Sequence, residues 1–516
     1  MKKLFLILLF LIFIFLRLDK ANHLFFWHID EDLISMTVKR IVVDHRPQLI
    51  GFPIPGGIYL GPLIYYVLSF FYLGVSMNPF GLSVVGAVFG VLTTFLVYEV
   101  GKIIFENEMI GIFSVIIFGF SYLVNAYGRI FTGLTFAPIY ALFTYLFIYI
   151  VVKSNGKNGF LPLGLTLILA THDEGTCLSL LLLALIAWYF YRFKILKRSF
   201  YKILALFTVS YVPLLIFDLR HNFFLVKSAT NFFKGGAFDT SLSGFVSILN
   251  PLSIFPSTLS RIISISGSRD IASQILPCTD LVRERITSIN PAVFLLAVFI
   301  LGYFIVSQIF TRKRQLGATI ILIHLLVLSF GIFIFHLIVP GYSYEWMLVI
   351  FFPAFAFIVA YTLFKILQKG TVGKILVSVL LFLFVFLNSY AIVSGSGRFG
   401  LWAKANAVKY AVFEIGDRPF YLESLGGCFA QGYIYLFWYF GQTPSKVEGV
   451  IYDQSAVKLR TEPPEVGVVL VNDSKNEQIE FSNRYNFYKS RSIKSKKIDD
   501  VEVLIIPAAA QFVEWN

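Results

Sequence analysis

The chain opens with KKLFLILLFLIFIFL (residues 2–16), in which two lysines precede thirteen apolar residues. Such a run inserts into a bilayer, and lysines at its start favour a cytoplasmic N-terminus. A cleaved signal peptide is the alternative, but Arg17, Asp19 and Lys20 follow without a small-x-small cleavage site. The sequence therefore favours an uncleaved anchor whose outer end leads into an extracytoplasmic segment.

The composition of the whole chain is that of a membrane protein. Of 516 residues, 57% are hydrophobic, 17% aromatic and only 14% charged, and the mean hydropathy is +0.77. Soluble domains are only about 45–50% apolar and carry about 25% charged residues. The net charge of +13 does not indicate nucleic acid, because the basic residues lie in short turns between apolar runs, where they report membrane topology.

Ten apolar runs are long enough to span a bilayer, which takes about 17–25 residues per helix. They lie near 3–18, 80–104, 109–127, 134–152, 175–191, 201–217, 291–311, 316–339, 346–366 and 373–393. A shorter run at 159–172 makes an eleventh. Because these runs lack the alternation of a membrane barrel, they predict an α-helical polytopic membrane protein with about eleven transmembrane helices.

Basic residues set the predicted orientation. With the N-terminus inside, the basic positions near 102, 153–157, 192–202, 312–314 and 365–374 all fall at inner turns, as the positive-inside rule requires. The outer segments are then 19–79, 128–133, 172–174, 218–290, 340–345 and 400–516. This predicts a multi-pass protein of the plasma (inner) membrane with a large extracytoplasmic part.

Two helices of the first outer loop are predicted to lie at the membrane interface. The stretch 58–76 is apolar, but counting it as a span would invert every later turn. An amphipathic pattern from Leu33 to Val42 predicts a second interfacial helix, which ends before Pro47.

The composition changes near residue 398, which divides the chain into two predicted domains. Residues 1–398 form the membrane domain, with outer loops 19–79 and 218–290. Residues 399–516 contain short strand-like runs at 466–471 and 501–506 and a candidate buried helix at 432–440. We expect a small extracytoplasmic α/β domain.

Three adjacent carboxylates, Asp30, Glu31 and Asp32, follow the first span. Ionisable residues at a membrane edge are costly and often functional. Neighbouring acids that are partly buried raise one another's pKa, and a carboxylate of suitable pKa can take a proton from a hydroxyl group. A solvated loop whose charges keep it out of lipid is the alternative, and the acids alone favour neither reading.

Beyond the acids lies GPLIYY (residues 61–66). Together with the three acids and the predicted topology, this segment resembles the GT-C superfamily of integral membrane glycosyltransferases. The resemblance is to the group related to protein O-mannosyltransferases (dolichyl-phosphate-mannose mannosyltransferase-like proteins) and lipid A aminoarabinose transferases. It extends well to about residue 220, with Ile64 in place of the first tyrosine of the family segment.

The resemblance implies an inverting transfer of a sugar from a polyprenyl-phosphate-linked donor to an extracytoplasmic glycan, lipid or protein acceptor. It implies that Asp30 is the catalytic base and that Glu31 is the second acidic position. The residues expected to bind the donor phosphate or sugar are Arg129, His172, Asp173, Glu174, Tyr65 and Tyr66.

Several of these residues have simpler interpretations. The guanidinium of Arg129 suits a phosphate, but arginine at an interface also serves as a snorkelling anchor. Relatives commonly have an Asp after this Arg, and none follows here, so Asp173 or Glu174 is expected to supply that carboxylate. His172, Asp173 and Glu174 are otherwise read as a tight polar turn between two spans.

No metal-ligand spacing is recognisable. Some GT-C enzymes use a divalent cation and others do not, which leaves a cation at the acids open. Cys278 and Cys428 both fall outside, but the sequence gives no geometry for a disulfide, and Cys177 lies in an apolar run.

Other functional classes fit less well. A transporter or flippase of lipid-linked sugars would place charges near the membrane midplane in repeated halves, which this chain lacks. A polysaccharide polymerase or ligase would leave the early acids and residues 61–66 unexplained.

Overall fold

A computed structural model provides the structure of the protein. It describes residues 2–54, 57–234, 250–265, 290–311, 315–338, 345–395, 400–425, 432–448, 459–472, 479–499 and 501–510. The elements before residue 395 are helices, apart from one short hairpin and two 3-10 turns (Gly175–Cys177 and Glu345–Phe351), within these ranges.

Each of the eleven predicted spans coincides with helix. The helices of this part are α1 (Lys2–Leu18), α2 (Ala21–Leu24), α3 (Ile29–Val42), α4 (Leu63–Gly74), α5 (Pro79–Ile104), α6 (Glu108–Phe120), α7 (Tyr122–Tyr127), α8 (Gly133–Lys153), α9 (Phe160–Asp173), α10 (Leu178–Tyr191), α11 (Lys197–Arg220), α12 (Phe224–Phe233), α13 (Asn250–Ile263), α14 (Pro291–Phe310), α15 (Leu316–Ile338), α16 (Phe352–Leu367) and α17 (Thr371–Ser394). The predicted run 109–127 is divided at Ser121 into α6 and α7.

In the part of the chain that the structure describes, seven helical segments are long and apolar enough to cross a membrane. They are Pro79–Ile104, Gly133–Lys153, Lys197–Arg220, Pro291–Phe310, Leu316–Ile338, Glu345–Leu367 and Thr371–Ser394. Large apolar side chains such as Phe299, Phe310 and Val372 are exposed on them, as lipid contact requires. The protein is a multi-pass membrane protein.

Residues 19–79 form helices where the sequence predicts the two interfacial ones, and these are α3 and α4. Helix α4 begins at Leu63 rather than near residue 58, because the residue before a proline, here Gly61, is disfavoured in the helical conformation. The residues before it form a small hairpin of β1 (Pro53–Ile54) and β2 (Ile58–Tyr59). Helices α3 and α4 meet where the Ser35 and Tyr72 hydroxyl oxygens lie 2.8 Å apart.

The C-terminal part is a mixed α/β unit, as predicted. Its elements are α18 (Leu401–Ile415), β3 (Phe420–Leu425), α19 (Ile434–Tyr439), β4 (Lys446–Val447), β5 (Val466–Asn472), α20 (Ile479–Arg491), β6 (Lys494–Ile498) and β7 (Val501–Pro507). The strand order is β4-β3-β5-β7-β6, in which β4, β3 and β5 are parallel and β7 runs antiparallel to β5 and β6. All seven residues of β5 are buried, so this strand is central.

The C-terminal unit shares its apolar core with the membrane helices. One continuous cluster of buried side chains extends from Phe13 in α1 through Trp27 to Tyr435 in α19 and Val468 in β5. The segment between α1 and α4 therefore packs against both the membrane helices and the C-terminal unit, and this places the three acids at the junction.

Candidate active site

The first turn of α3 carries the three acids. His28 is the N-cap residue, and its backbone N–H donates to Glu31 Oε2 at 2.9 Å, as part of a capping box. Acids in this turn are also favoured by the positive end of the helix dipole. Glu31 is only 2% exposed, so its carboxylate is turned inward and orders the start of the helix.

Asp32 is directed toward the C-terminal unit. Its Oδ1 accepts the backbone N–H of Tyr435 at 2.9 Å, at the start of α19. Backbone hydrogen bonds from residues 432–435 hold the pKa of Asp32 down, but burial, the larger effect, raises it to about 7. Asp32 therefore caps α19 and joins α3 to the C-terminal unit.

Asp30 is the acid of the three that is available for chemistry. Its side chain is partly exposed, and it makes no hydrogen bond or ion pair with any residue that the structure describes. Burial raises the pKa of Asp30 to about 6. A carboxyl group of this pKa is ionised near neutral pH and still binds a proton well, which suits a general base.

A second carboxylate, that of Glu174, lies close to Asp30. Glu174 follows the end of α9, is partly exposed, and accepts the N–H of Gly175 at 2.9 Å through Oε1. Burial is the main cause that raises the pKa of Glu174 to about 7, and the charge of Asp30 raises it further. The turn after α9, rather than the segment after Arg129, thus brings an acid to Asp30.

His172 and Asp173 pack between helices instead. His172 is fully buried, its Nε2 lies 2.9 Å from Ser210 Oγ, and its ring centre lies 4.2 Å from that of Tyr211 in α11. Asp173 is 3% exposed, and a Cβ added to Gly133 at the start of α8 would lie 2.3 Å from its Oδ1. A role of either side chain in donor binding stays a prediction.

Arg129 binds the C-terminal end of α1. Its Nη2 donates to the carbonyl of Leu16 at 3.0 Å, and the side chain is 7% exposed. Cations near a helix C-terminus satisfy carbonyls that lack an intrahelical partner. Nε of Arg129 has no hydrogen-bond partner in the described part of the chain, so the guanidinium retains a donor.

The two predicted tyrosines lie on α4. The Tyr66 hydroxyl donates to the carbonyl of Gln48 at 2.9 Å and accepts its N–H at 3.0 Å. Tyr65 is 2% exposed and belongs to the core. Tyr66 therefore fixes the segment that connects α3 to the hairpin, and Tyr65 packs α4 against its neighbours.

Sequence reasoning missed Lys404, which lies on the buried face of α18. It is 4% exposed, its Nζ donates to the Trp27 carbonyl at 2.7 Å, and it lies 5.0 Å from the centre of the Tyr433 ring. Burial lowers the pKa of Lys404 to about 8, although Asp32 and Glu31 act to raise it. The one available signal is a lysine among the apolar positions of an amphipathic helix.

The capping role of Asp32 gives a prediction. Asp32→Ala is expected to lower the free energy of unfolding by about 1–2 kcal/mol, because the N–H of Tyr435 loses its acceptor. Asp32→Asn should cost less, since an amide oxygen still accepts. Thermal unfolding of the purified variants measures both, and equal losses for Asn and Ala would contradict the capping role.

Within the described residues, no group of three or more His, Cys, Asp or Glu side chains is placed to hold a metal ion. Cys177 is a buried free thiol. Cys278 and Cys428 lie outside the described residues, so the disulfide stays a prediction.

Comparison with known proteins identifies the fold. No protein-family model matches the sequence, and no characterised protein matches it by sequence. The crystal structure of ArnT from Cupriavidus metallidurans bound to undecaprenyl phosphate matches 99% of this chain and 99% of its own, with a TM-score of 0.59 and 10% identity. The apo state of the same protein matches 100% of both chains, with a TM-score of 0.58 and 10% identity.

A weaker likeness is to the oligosaccharyltransferase of Archaeoglobus fulgidus, with a TM-score of 0.49 and 12% identity over 89% of this chain and 66% of that one. That score is too low to support a structural argument. The match with ArnT over the whole length of both chains confirms the predicted fold, a polytopic helical membrane protein with a C-terminal α/β unit. At such low identity the likeness establishes the fold, and the activity has to be argued from the site.

Proposed function

We propose that this protein is a glycosyltransferase that moves a sugar from a polyprenyl-phosphate-linked donor to an acceptor on the extracytoplasmic side, with Asp30 as the general base. The observation that carries the proposal is the unbonded, partly exposed carboxylate of Asp30 in the first outer loop. It occurs in a fold shared along its whole length with ArnT, which has been crystallised with undecaprenyl phosphate.

The proposed sidedness follows from the distribution of charge in the sequence. With the N-terminus inside, every basic inner turn obeys the positive-inside rule, and the acids then lie outside. Nucleotide sugars are confined to the cytoplasm. An outward-facing site therefore needs a donor that the membrane itself delivers, and a polyprenyl phosphate meets this need.

The proposed reaction is a single displacement. Asp30 takes the proton of an acceptor hydroxyl, whose oxygen attacks the sugar carbon bonded to the donor phosphate. That carbon–oxygen bond breaks, and the bonding electrons leave with the lipid phosphate. Attack opposite the leaving group inverts the sugar carbon.

Other residues have supporting roles in this proposal. Glu174 lies close enough to influence Asp30 electrostatically, and we assign to it a contact with the sugar or the acceptor. Arg129 is the candidate for the lipid phosphate, because its Nε lacks a partner among the described residues. Glu31, His172, Asp173, Tyr65 and Tyr66 support the site through their packing and hydrogen bonds.

The direct test is a transfer assay with purified protein, a set of labelled polyprenyl-phosphate sugars and a set of extracytoplasmic glycan, lipid and protein acceptors. We expect label to move from a lipid donor and not from the matching nucleotide sugar. Transfer from nucleotide sugars alone would refute the proposed donor. Movement of intact lipid-linked sugar across vesicles, with no transfer, would favour a flippase.

The raised pKa of Asp30 predicts the pH dependence of transfer. A general base acts in its ionised form, so kcat/KM is expected to fall about tenfold per pH unit below the pKa and to level off above it. The acidic fall in kcat/KM should lie near pH 6, where burial places the pKa of Asp30. A rate that stays constant from about pH 5 to pH 7 would contradict this base.

A further inference from the structure

The segment between α2 and α3 is held by neighbours on every side. The carbonyl of Phe25 accepts the N–H of Leu401 at 2.9 Å, and the N–H of Phe26 donates to the carbonyl of Arg129 at 3.0 Å. The carbonyl of Trp27 accepts a hydrogen bond from Lys404 Nζ at 2.7 Å. Buried backbone groups require such partners, and two of these three come from α18.

Lys404 supplies the last of these contacts before the acids. Asp30 lies three residues after Trp27, in the first turn of α3. Because the His28 N–H is already fixed by Glu31, the Trp27 carbonyl is the point at which the C-terminal unit determines where the first turn begins. A shift of this carbonyl would carry Asp30 with it.

A second contact with the C-terminal unit is made by Asp32, in the first turn of α3. Asp32 accepts the N–H of Tyr435, and the Tyr435 hydroxyl donates to the carbonyl of Met77 at 2.6 Å. Gly432 leaves room for Lys404, since a Cβ at this residue would lie 3.3 Å from Lys404 Nζ. The contact between Lys404 and Trp27 and the contact between Asp32 and Tyr435 therefore join the two ends of the first turn of α3 to the C-terminal unit.

The ammonium group of Lys404 is not needed to fill the space between α18 and the first turn of α3. Burying a charge is costly, and an apolar side chain of similar volume is often as stable or more so. The apolar core already joins the C-terminal unit to the membrane helices. What the lysine adds is a directed hydrogen bond to Trp27 and a positive charge near Glu31 and Asp32.

We propose that Lys404 is a positioning residue for Asp30, and that the C-terminal unit is thereby an integral part of the reaction centre. The inference rests on the proposed function, because it concerns the same carboxylate. Lys404 acts through the backbone of residues 27–30 and touches no reacting atom. An error of about 1 Å in a reacting group can cost about 100-fold in rate.

The positioning role of Lys404 is tested by Lys404→Met in the whole chain, with Lys409→Met as the matched control. Lys409 lies on the exposed face of the same helix. Hydrogen–deuterium exchange of residues 27–32 should rise about tenfold in Lys404→Met, since the buried Trp27 carbonyl loses its donor. Exchange should stay unchanged in Lys409→Met.

Kinetics supply the second measurement. In Lys404→Met we expect kcat to fall about 10–100-fold, while KM for the lipid-linked donor changes less than about threefold. Lys409→Met should match the wild type. The inference would be overturned if Lys404→Met left hydrogen–deuterium exchange in residues 27–32 unchanged. It would also be overturned if Lys404→Met raised this exchange and left kcat unchanged.

A second variant covers the case in which Lys404→Met does not fold. Asp32→Ala loosens the same attachment from α3 and should also raise exchange in residues 27–32 and lower kcat. Normal kcat with raised exchange would again overturn the inference. If the wild type transfers no sugar from any donor, the proposed function fails, whereas exchange still decides whether Lys404 orders the first turn.

Discussion

Asp30→Asn is expected to lower the rate of sugar transfer by about 10²–10⁴-fold, the usual contribution of a general base. Asparagine has nearly the same shape and cannot accept a proton from the acceptor hydroxyl. Since Asp30 makes no hydrogen bond or ion pair with the described part of the protein, the substitution removes no structural contact. Donor binding, measured with labelled lipid-linked sugar, should be retained.

The neighbouring acids provide matched controls. Asp32→Asn keeps an oxygen for the N–H of Tyr435 and should transfer at near the wild-type rate. Glu31→Gln keeps an acceptor for His28, so its loss should be much smaller than that of Asp30→Asn. A loss in Glu31→Gln as large as that in Asp30→Asn would make Glu31 a second catalytic acid, and near-normal turnover of Asp30→Asn would exclude Asp30 as the base.

Asp30→Asn also has a predicted effect on stability. Burial raises the pKa of Asp30 from 3.8 to about 6, so the folded protein binds this proton more tightly than the unfolded chain. The resulting stabilisation is complete below the unfolded pKa and is lost as pH rises through the folded pKa. Asp30→Asn lacks this titration, and its melting temperature relative to the wild type should therefore increase across that pH range. A constant difference in melting temperature would contradict a raised pKa of Asp30.

The membrane helices were predictable because their signal is local. A long apolar run has no other way to satisfy its backbone in lipid, and the predicted boundaries near 80–104 and 134–152 lie within a residue of α5 and α8. The division at Ser121 escaped detection, because the helical pattern resumes directly after this residue.

The different roles of the three acids could not be read from the sequence. The partner of Asp32 lies far away along the chain, because its acceptor atom meets Tyr435 across a separation of 403 residues. Lys404 and Trp27 are similarly separated by 377 residues. Only the folded junction decides which carboxylate is bonded and which remains available.

Two strands of the C-terminal sheet lacked a recognisable pattern. Strand β6 reads KSKKI and is mostly exposed, so it shows no hydrophobic alternation. Strand β3 is buried on both faces but contains Glu423. That carboxylate accepts hydrogen bonds from Tyr421, Tyr488 and Arg484, and tertiary partners of this kind are invisible in a local pattern.

Gly61→Ala is expected to prevent normal folding, the largest structural effect of a single methyl group that we predict. A Cβ at this residue would lie 1.8 Å from Nδ1 of His172. The imidazole cannot move aside easily, since Ser210 and Tyr211 hold it. On the other side, a Cβ on Gly51 would lie 2.2 Å from the Gly61 carbonyl oxygen, so the backbone has no room either.

Overpacking of this kind costs about 1–3 kcal/mol or more, and two fixed neighbours place Gly61→Ala at or above the upper end. The measurements are the yield of monodisperse protein and its melting temperature. Gly74→Ala is the matched control, because Gly74 ends α4, the helix that follows Gly61, and nothing lies within 4 Å of an added Cβ. Wild-type behaviour of Gly61→Ala would contradict the packing of residue 61 against α9.

Gly61→Ala combined with His172→Ala should restore folding, because removal of the imidazole opens the space that the methyl group needs. The double variant also separates two roles of His172, the packing that the structure shows and the donor contact that the sequence resemblance implied. If the refolded double variant transfers sugar at near the wild-type rate, His172 serves packing alone. If it folds and binds the lipid-linked donor much more weakly, the imidazole reaches the donor in the bound state, and its hydrogen bond with Ser210 must then break when the donor binds.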